Sequence, residues 1–141
     1  MSFSRWYPGC TRRTIVAELS ASILVIDDDR DMRRLLGDFL IRGGYGVIEA
    51  ATGDDAMRLI ESAPIDVVIL DKEMPGMNGF EVLALLRRRR PETPVIFITA
   101  FGGPEVAEES RRRGAWRYVE KPFRVTEVVE AVQAVLDEST I

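Results

Sequence analysis

Four short apolar runs in this chain lead into residues able to do ionic chemistry. Ile23-Leu24-Val25-Ile26 runs into Asp27-Asp28-Asp29, Val67-Val68-Ile69-Leu70 into Asp71, and Val95-Ile96-Phe97-Ile98 into Thr99. Just past Trp116-Arg117-Tyr118-Val119 stands Lys121. Two carboxylates ~4 Å apart repel by about 4 kcal/mol at an effective dielectric near 20. A cluster of them therefore raises a pKa or recruits a cation. One or two carboxylates, a carbonyl and waters are the usual way to hold Mg²⁺. With a hydroxyl and an ammonium opposite, such a centre suits a tetrahedral oxyanion, above all a phosphoryl group. Each residue taken singly has an ordinary role. An Asp after a strand is usually a helix N-cap, and one of Asp29 and Asp31 is read that way. Thr99 alone is a β-former, Lys121 a solvated charge and Tyr118 a partly buried ring. The coincidence of Asp27, Asp28, Asp71, Thr99 and Lys121 at the ends of different runs favours a site.

These residues converge only if the runs are neighbouring parallel strands. Continuous β-branched runs are what strands covered on both faces require. Between them lie helical stripes. Met32, Leu35, Leu36, Phe39 and Leu40 recur at helical spacing before Gly43-Gly44, where glycine tolerates a left-handed cap. Tyr45 to Ala50 reads as a second strand. Thr52 and Asp55 resemble a capping box ahead of Ala56, Leu59, Ile60 and Ala63, and Pro64 ends that helix. A third strand, from Asp66, is followed by the turn-rich Met74-Pro75-Gly76-Met77-Asn78-Gly79 and a helix with Phe80, Leu83 and Leu86 inward. A fourth helix spans Gly102-Gly103-Pro104 to Gly114, a fifth strand spans Trp116 to Val119, and Val125, Val128, Val129, Val132, Val135 and Leu136 make the face of the last helix. Five strands alternating with five helices predict right-handed βαβ units: an α/β, doubly wound, five-stranded parallel sheet with helices on both faces. Ligands bind such sheets outside the carboxyl ends of the strands. Arg87 to Arg90 and Arg111 to Arg113 fall at helix C-termini, where they suit the dipole and read as a solvated face.

Composition bounds the function. With 141 residues, 46% hydrophobic and 30% charged, the chain is one globular domain, and no apolar run approaches a membrane span. The net charge of −4 argues against a nucleic-acid surface, and the lack of His excludes imidazole as base or ligand. The one cysteine, Cys10, reads as an incidental thiol in a reducing, cytoplasmic setting. Residues 1–21 carry Arg5, Arg12 and Arg13 against Glu18 and read as an N-terminal extension, with the domain at 22–141. Ile15-Val16-Ala17 is too short for a secretory segment.

At this point the chain resembles the receiver domain of bacterial two-component response regulators. Ile23 to Asp28 resembles the family's first strand and acidic pair. Asp66 to Asp71 with Met74 to Gly79 resembles its phosphoacceptor strand and loop. Val95 to Ala100 resembles its switch-threonine strand, and Tyr118-Val119-Glu120-Lys121-Pro122-Phe123 its lysine motif. The resemblance covers about residues 21–138, with all four motifs in order. It implies a flavodoxin-like (βα)5 fold with strand order 2-1-3-4-5. It further implies that Asp71 accepts phosphate from the phosphohistidine of a sensor histidine kinase or phosphotransfer protein. Asp28, Asp71 and the backbone carbonyl of Glu73 would hold Mg²⁺, or Mn²⁺ in its place, with Asp27 reaching the ion mainly through water. Thr99 and Lys121 would each meet a phosphoryl oxygen, Tyr118 would follow Thr99 as a rotamer switch, and Glu73 and Phe101 would set the lifetime of the acyl phosphate. The Lys121–Pro122 peptide would be cis. Output would pass through the face of the fourth helix, fifth strand and fifth helix to an effector or to a second copy of the chain. Such a protein is a signalling phosphoacceptor rather than an enzyme, although it assists its own phosphorylation and dephosphorylation. No direct nucleic-acid or membrane binding by this chain is expected.

Two other readings use the same residues. A haloacid-dehalogenase-like phosphohydrolase would take Asp27 as nucleophile from Asp27-Asp28-Asp29, but needs an acidic pair on a later strand end and leaves Asp71 unused. A pseudo-receiver would keep the fold as a binding module without phosphorylation, at the cost of burying carboxylates to no purpose.

Overall fold

The computed structural model describes residues 20–139, so the readings placed on residues 1–19, Cys10 included, lie outside it. Among the described residues there are five strands and five helices. They run β1 (Ser22–Ile26), α1 (Arg30–Arg42), β2 (Gly46–Ala50), α2 (Gly53–Ser62), β3 (Val67–Asp71), α3 (Gly79–Arg89), β4 (Val95–Thr99), α4 (Pro104–Arg112), β5 (Arg117–Glu120) and α5 (Val125–Ser139). All pairings are parallel, in the order β2-β1-β3-β4-β5.

Strand side chains alternate between faces, so each central strand feeds two cores. Leu24, Ile26, Val68, Leu70, Val95 and Phe97 pack with Ala56 and Ile60 of α2 and Val82, Leu83 and Leu86 of α3. Ile23, Val25, Val67, Ile69, Ile96 and Ile98 pack with Leu36 and Leu40 of α1 and Val128, Ala131, Val132 and Val135 of α5. The unbroken apolar runs are thus explained by burial on both sides. Helix α4 differs from the others: none of the buried hydrophobic side chains belongs to it, and its one buried residue is Ser110.

Local signals set the element ends. Asp29 caps α1, its carboxylate accepting from the backbone N–H of Asp31 and Met32, and Asp31 lies in the first turn. Gly44, at φ +95°, takes the left-handed position expected of the Gly43-Gly44 pair. Thr52 caps α2 by accepting from the Asp55 N–H. Asn78 and Glu81 form a reciprocal capping box on α3, an Asn-x-x-Glu signal hidden in what the sequence presents as a turn-rich loop. Strand β3 spans Val67–Asp71, and Asp66 just before it extends the pairing with β1: it donates its N–H to the Ser22 carbonyl and accepts the Ser22 N–H on its carboxylate.

Three sequence expectations fail on packing. Leu35 belongs to the apolar stripe of α1 by spacing, yet is 43% exposed. Arg87 and Arg90 are half-buried rather than part of a solvated face. Arg87 donates to the carbonyls of Arg90, Pro91 and Thr93, and Arg90 to the carbonyl of Ile60, so the two arginines tie the α3–β4 loop and the end of α2 together. These carbonyls need donors where water is scarce, and a helix C-terminus is where a guanidinium fork best supplies them. Arg88 and Arg89 remain exposed.

The α3 N-terminus folds back on the end of β3. The Gly79 N–H donates to the Lys72 carbonyl over 2.8 Å, and a Cβ at position 79 would stand 2.5 Å from Lys72 Cα. Both sides of that contact are backbone, so neither can yield. Gly79→Ala is expected to lower stability by about 1–3 kcal/mol, the usual cost of overpacking. A denaturant midpoint equal to that of the unsubstituted chain would contradict this reading.

Candidate functional site

The backbone ladder continues one residue beyond the strands and aligns the candidate groups. Asp27 N–H donates to the Ala50 carbonyl (3.1 Å), Lys72 N–H to Ile98 (2.7 Å) and Lys121 N–H to Thr99 (2.8 Å). Asp27, Asp71, Thr99 and Lys121 are thereby aligned at one sheet edge by main-chain hydrogen bonds. Arg33, one turn into α1, adds a brace: it donates to the Asp27 carbonyl over 2.8 Å and pairs with Glu49 at 3.0 Å.

The predicted acidic cluster forms. Asp27, Asp28 and Asp71 can each offer a carboxylate oxygen such that the three atoms lie within 4.8 Å of one another. Asp27 and Asp71 are 2% and 3% exposed, while Asp28 faces solvent. Burial pushes the Asp71 carboxyl up to about 7, helped by repulsion from Asp27 and opposed by Lys121. Burial also raises Asp27, against a hydrogen bond from the Asp29 N–H and the attraction of Lys121. Lys121 Nζ lies 3.3 Å from Asp71 Oδ1, close enough to pair electrostatically but not aligned as a hydrogen bond. Burial works against the Lys121 charge, but Asp71 and Asp27 outweigh it and raise the Lys121 pKa. Asp71 Oδ1 is buried without a hydrogen-bond partner among the described residues. A buried carboxylate oxygen of this kind, beside two more carboxylates, fits a hard divalent cation.

Thr99 is fully buried, and its hydroxyl does not face an open site. It donates to Glu73 Oε2 and accepts the Phe101 N–H over 3.0 Å. Glu73 Oε1 accepts the Ala100 N–H at 2.9 Å, and Lys72 Nζ stands 3.6 Å from Oε2. Burial would raise the Glu73 carboxyl, but the Thr99 hydroxyl and the Ala100 N–H overcome it and hold the group below the usual carboxylate range. By resemblance Glu73 offers its carbonyl to the metal and, with Phe101, sets the lifetime of the acyl phosphate. Its side-chain grip on Thr99 was not foreseen, because acids two residues past a strand end are usually solvated. Phe101, 72% exposed, stands beside this edge.

Tyr118 is half-buried and packs against the α2–α3 side of the sheet. Its hydroxyl donates to Glu120 Oε2 (2.8 Å) and accepts the Gly103 N–H (3.1 Å), and Glu120 takes the same N–H at 2.7 Å. Burial and the bond to Glu120 raise its pKa. Glu120 is a second residue missed from sequence, since it alternates outward on an edge strand like any surface acid. Arg111, Arg112 and Arg113, at the end of α4, pair with Glu108 and Glu109 of the same helix. The Lys121–Pro122 peptide is cis, as the resemblance implies.

Residues 23–133 match the response regulator receiver domain. The chain is 35% identical over 81% of its length to response regulator protein FleR of Pseudomonas aeruginosa, spanning 24% of that protein. It is 33% identical over 84% of its length to sporulation initiation phosphotransferase F of Bacillus subtilis, spanning 95% of it. Against transcriptional regulatory protein ResD of Bacillus subtilis it is 40% identical, spanning 47%. The chain thus covers a quarter to a half of the longer curated relatives and nearly all of the short one. The receiver domain of Francisella response regulator 1452 superposes with a TM-score of 0.81 at 28% identity, covering 85% of this chain and 99% of that one. A CheY-like receiver domain protein from Methanospirillum hungatei superposes with 0.80 at 29% identity, covering 84% and 95%. Fold, strand order, motifs and relatives agree: the chain belongs to the response regulator receiver domain family.

Proposed function

We propose that this receiver is a working phosphoacceptor, with Asp71 taking a phosphoryl group from the phosphohistidine of a sensor kinase or phosphotransfer protein. The observation that carries the reading is the pairing of a buried, hydrogen-bond-free Asp71 oxygen with Lys121 on one side and Asp27 and Asp28 on the other. An Asp71 oxygen bonds to phosphorus as the bond from phosphorus to the imidazole nitrogen breaks, the electron pair staying with the nitrogen, which takes up a proton. Asp28, Asp71 and the Glu73 carbonyl would hold Mg²⁺, or Mn²⁺ in its place, with Asp27 acting through water. A divalent cation bound there would neutralise charge on the carboxylates and on the incoming phosphoryl oxygens. Lys121 supplies a further positive charge to a phosphoryl oxygen, and Thr99 a hydroxyl donor to another. The chain acts as a signalling phosphoacceptor that assists its own phosphorylation and dephosphorylation. Its output passes through α4, β5 and α5 by way of Thr99 and Tyr118, to an effector or to a second copy of itself, in the cytoplasm. The functional domain is residues 22–141, with 1–21 as an extension.

The phosphohydrolase reading finds no support in the fold. Beyond Lys121 the described chain is helix α5, so no later strand end exists there to carry a second acidic pair.

Incubation with phosphoramidate or acetyl phosphate and Mg²⁺ is expected to add one phosphoryl group to Asp71, mapped by mass spectrometry after borohydride trapping. Asp71→Asn should abolish it, and label on Asp27 would overturn the reading. Asp28→Asn should weaken Mg²⁺ binding, and a titration matching the unsubstituted chain would remove Asp28 from the ligands.

The raised Asp71 carboxyl makes a second expectation. A carboxyl that prefers its proton in the fold stabilises the fold fully below its unfolded pKa, and this contribution is lost as pH rises through about 7. Without divalent cation, stability should therefore fall between pH ~5 and ~8, by something on the order of 1–3 kcal/mol. Mg²⁺ at the upper pH should restore it, and Asp71→Asn should flatten the slope. Equal slopes for both proteins in thermal melts would show that Asp71 does not carry the effect.

Finally, beryllofluoride with Mg²⁺ should alter self-association or the α4–β5–α5 surface in sedimentation and amide-shift measurements, and Thr99→Ala should prevent it. Switching that survives Thr99→Ala would break the link to Tyr118.

A further inference from the structure

The Thr99 hydroxyl has one proton, and that proton is already given to Glu73. Its lone pairs receive the Phe101 N–H. The neighbouring main-chain donor, Ala100 N–H, is given to the other oxygen of the same carboxylate. One anionic group on the β3–α3 loop therefore occupies both donors at the end of β4. These are donors that an anion on Asp71 would need, and a phosphoryl group brings a charge of about −1.5 to −2 to the same edge.

We propose that Glu73 is a resident competitor for the phosphoryl group: its carboxylate holds Thr99 and Ala100 in the unphosphorylated protein and must leave before phosphorylation can be read by Thr99. This rests on Asp71 being the phosphoacceptor. Two features make the exchange feasible. Like-charge repulsion from the new phosphoryl group drives the carboxylate out. Lys72, whose ammonium is 3.6 Å from Glu73 and lies over the Phe80 ring at 5.7 Å, offers the displaced group a cation. Glu73 is accordingly a positioning residue: it acts through Thr99 and sets the threshold for switching. A hydroxyl cannot serve two anions, so stronger holding of Thr99 by Glu73 means weaker holding of the phosphoryl group.

The test uses the whole chain and beryllofluoride with Mg²⁺ as probe. Glu73→Ala is expected to tighten beryllofluoride binding by about 3- to 10-fold, the net scale of one ordinary hydrogen bond, and to speed labelling of Asp71 by phosphoramidate in the same proportion. Glu73→Gln, which keeps an acceptor but no charge, should fall between. Before any probe is added, hydrogen exchange at the Ala100 amide should be faster in Glu73→Ala than in Glu73→Gln. In a Thr99→Ala background the gain from Glu73→Ala should shrink to less than half. Unchanged or weaker beryllofluoride binding in Glu73→Ala overturns the proposal. So does a gain of equal size without Thr99, which would mean that only the general charge of Glu73 matters. If Asp71 labels normally and these effects are absent, the competitor idea alone fails. If Asp71 takes no label in any variant, the phosphoacceptor reading fails and the competitor idea with it.

Discussion

Asp27 and Asp71 are held out of water a few ångströms apart at one sheet edge, and their mutual repulsion is the constraint around which this end of the molecule is arranged. Neither carboxylate could be tolerated there singly without a counter-charge or a proton. The molecule supplies the first in part, through Lys121, and accepts the second in part, as the raised Asp71 carboxyl shows. What aligns Asp27 and Asp71 is mostly backbone: parallel strands whose hydrogen bonds continue one residue past the strand ends, with Arg33 bracing the Asp27 carbonyl. The side chains inherit their positions from the sheet. An arrangement set by main-chain hydrogen bonds relaxes little when one charge is removed.

Around that rigid edge the acids behave differently according to what they grip. Glu73 and Glu120 hold opposite ends of the short segment between β4 and α4, the first at Thr99 and Ala100, the second at Gly103 with the help of Tyr118. A charge appearing on Asp71 would act on the nearer of these grips directly and on the farther only through the segment between them. Communication across this part of the fold therefore needs no deformation of the sheet. It needs only that one small set of hydrogen bonds be exchanged for another.

Much of this is legible in the sequence. The doubly wound sheet follows from continuous β-branched runs separated by helical stripes, and the residues after each run mark the site because strand ends in such a sheet share an edge. The illegible parts have a common physical cause. Leu35 fits the stripe of α1 by spacing, but spacing does not tell how far a neighbouring helix reaches. Arg87 and Arg90 look like a solvated run until the carbonyls of a tight loop require donors. Glu73 and Glu120 look like surface acids, because their partners, a buried hydroxyl and loop N–H groups, are distant in sequence. In each case the deciding partner is brought in by tertiary structure, which periodicity and propensity do not encode.

Helix α4 contributes no buried hydrophobic side chain to either core. Its attachment rests instead on its two ends, the buried Ser110 and the half-buried Val106 and Ala107, while the ion pairs between its own arginines and glutamates tie the helix only to itself and are worth little. Segments with few buried apolar contacts open at the lowest free energy and are the first to exchange their amide protons. Among the helices of this fold, α4 is then the one whose sequence can drift furthest without loss of the folded state, because almost nothing beneath it demands a particular shape. A protein lineage could rewrite this helix to suit new company while the sheet, its acidic edge and the other four helices stayed as they are.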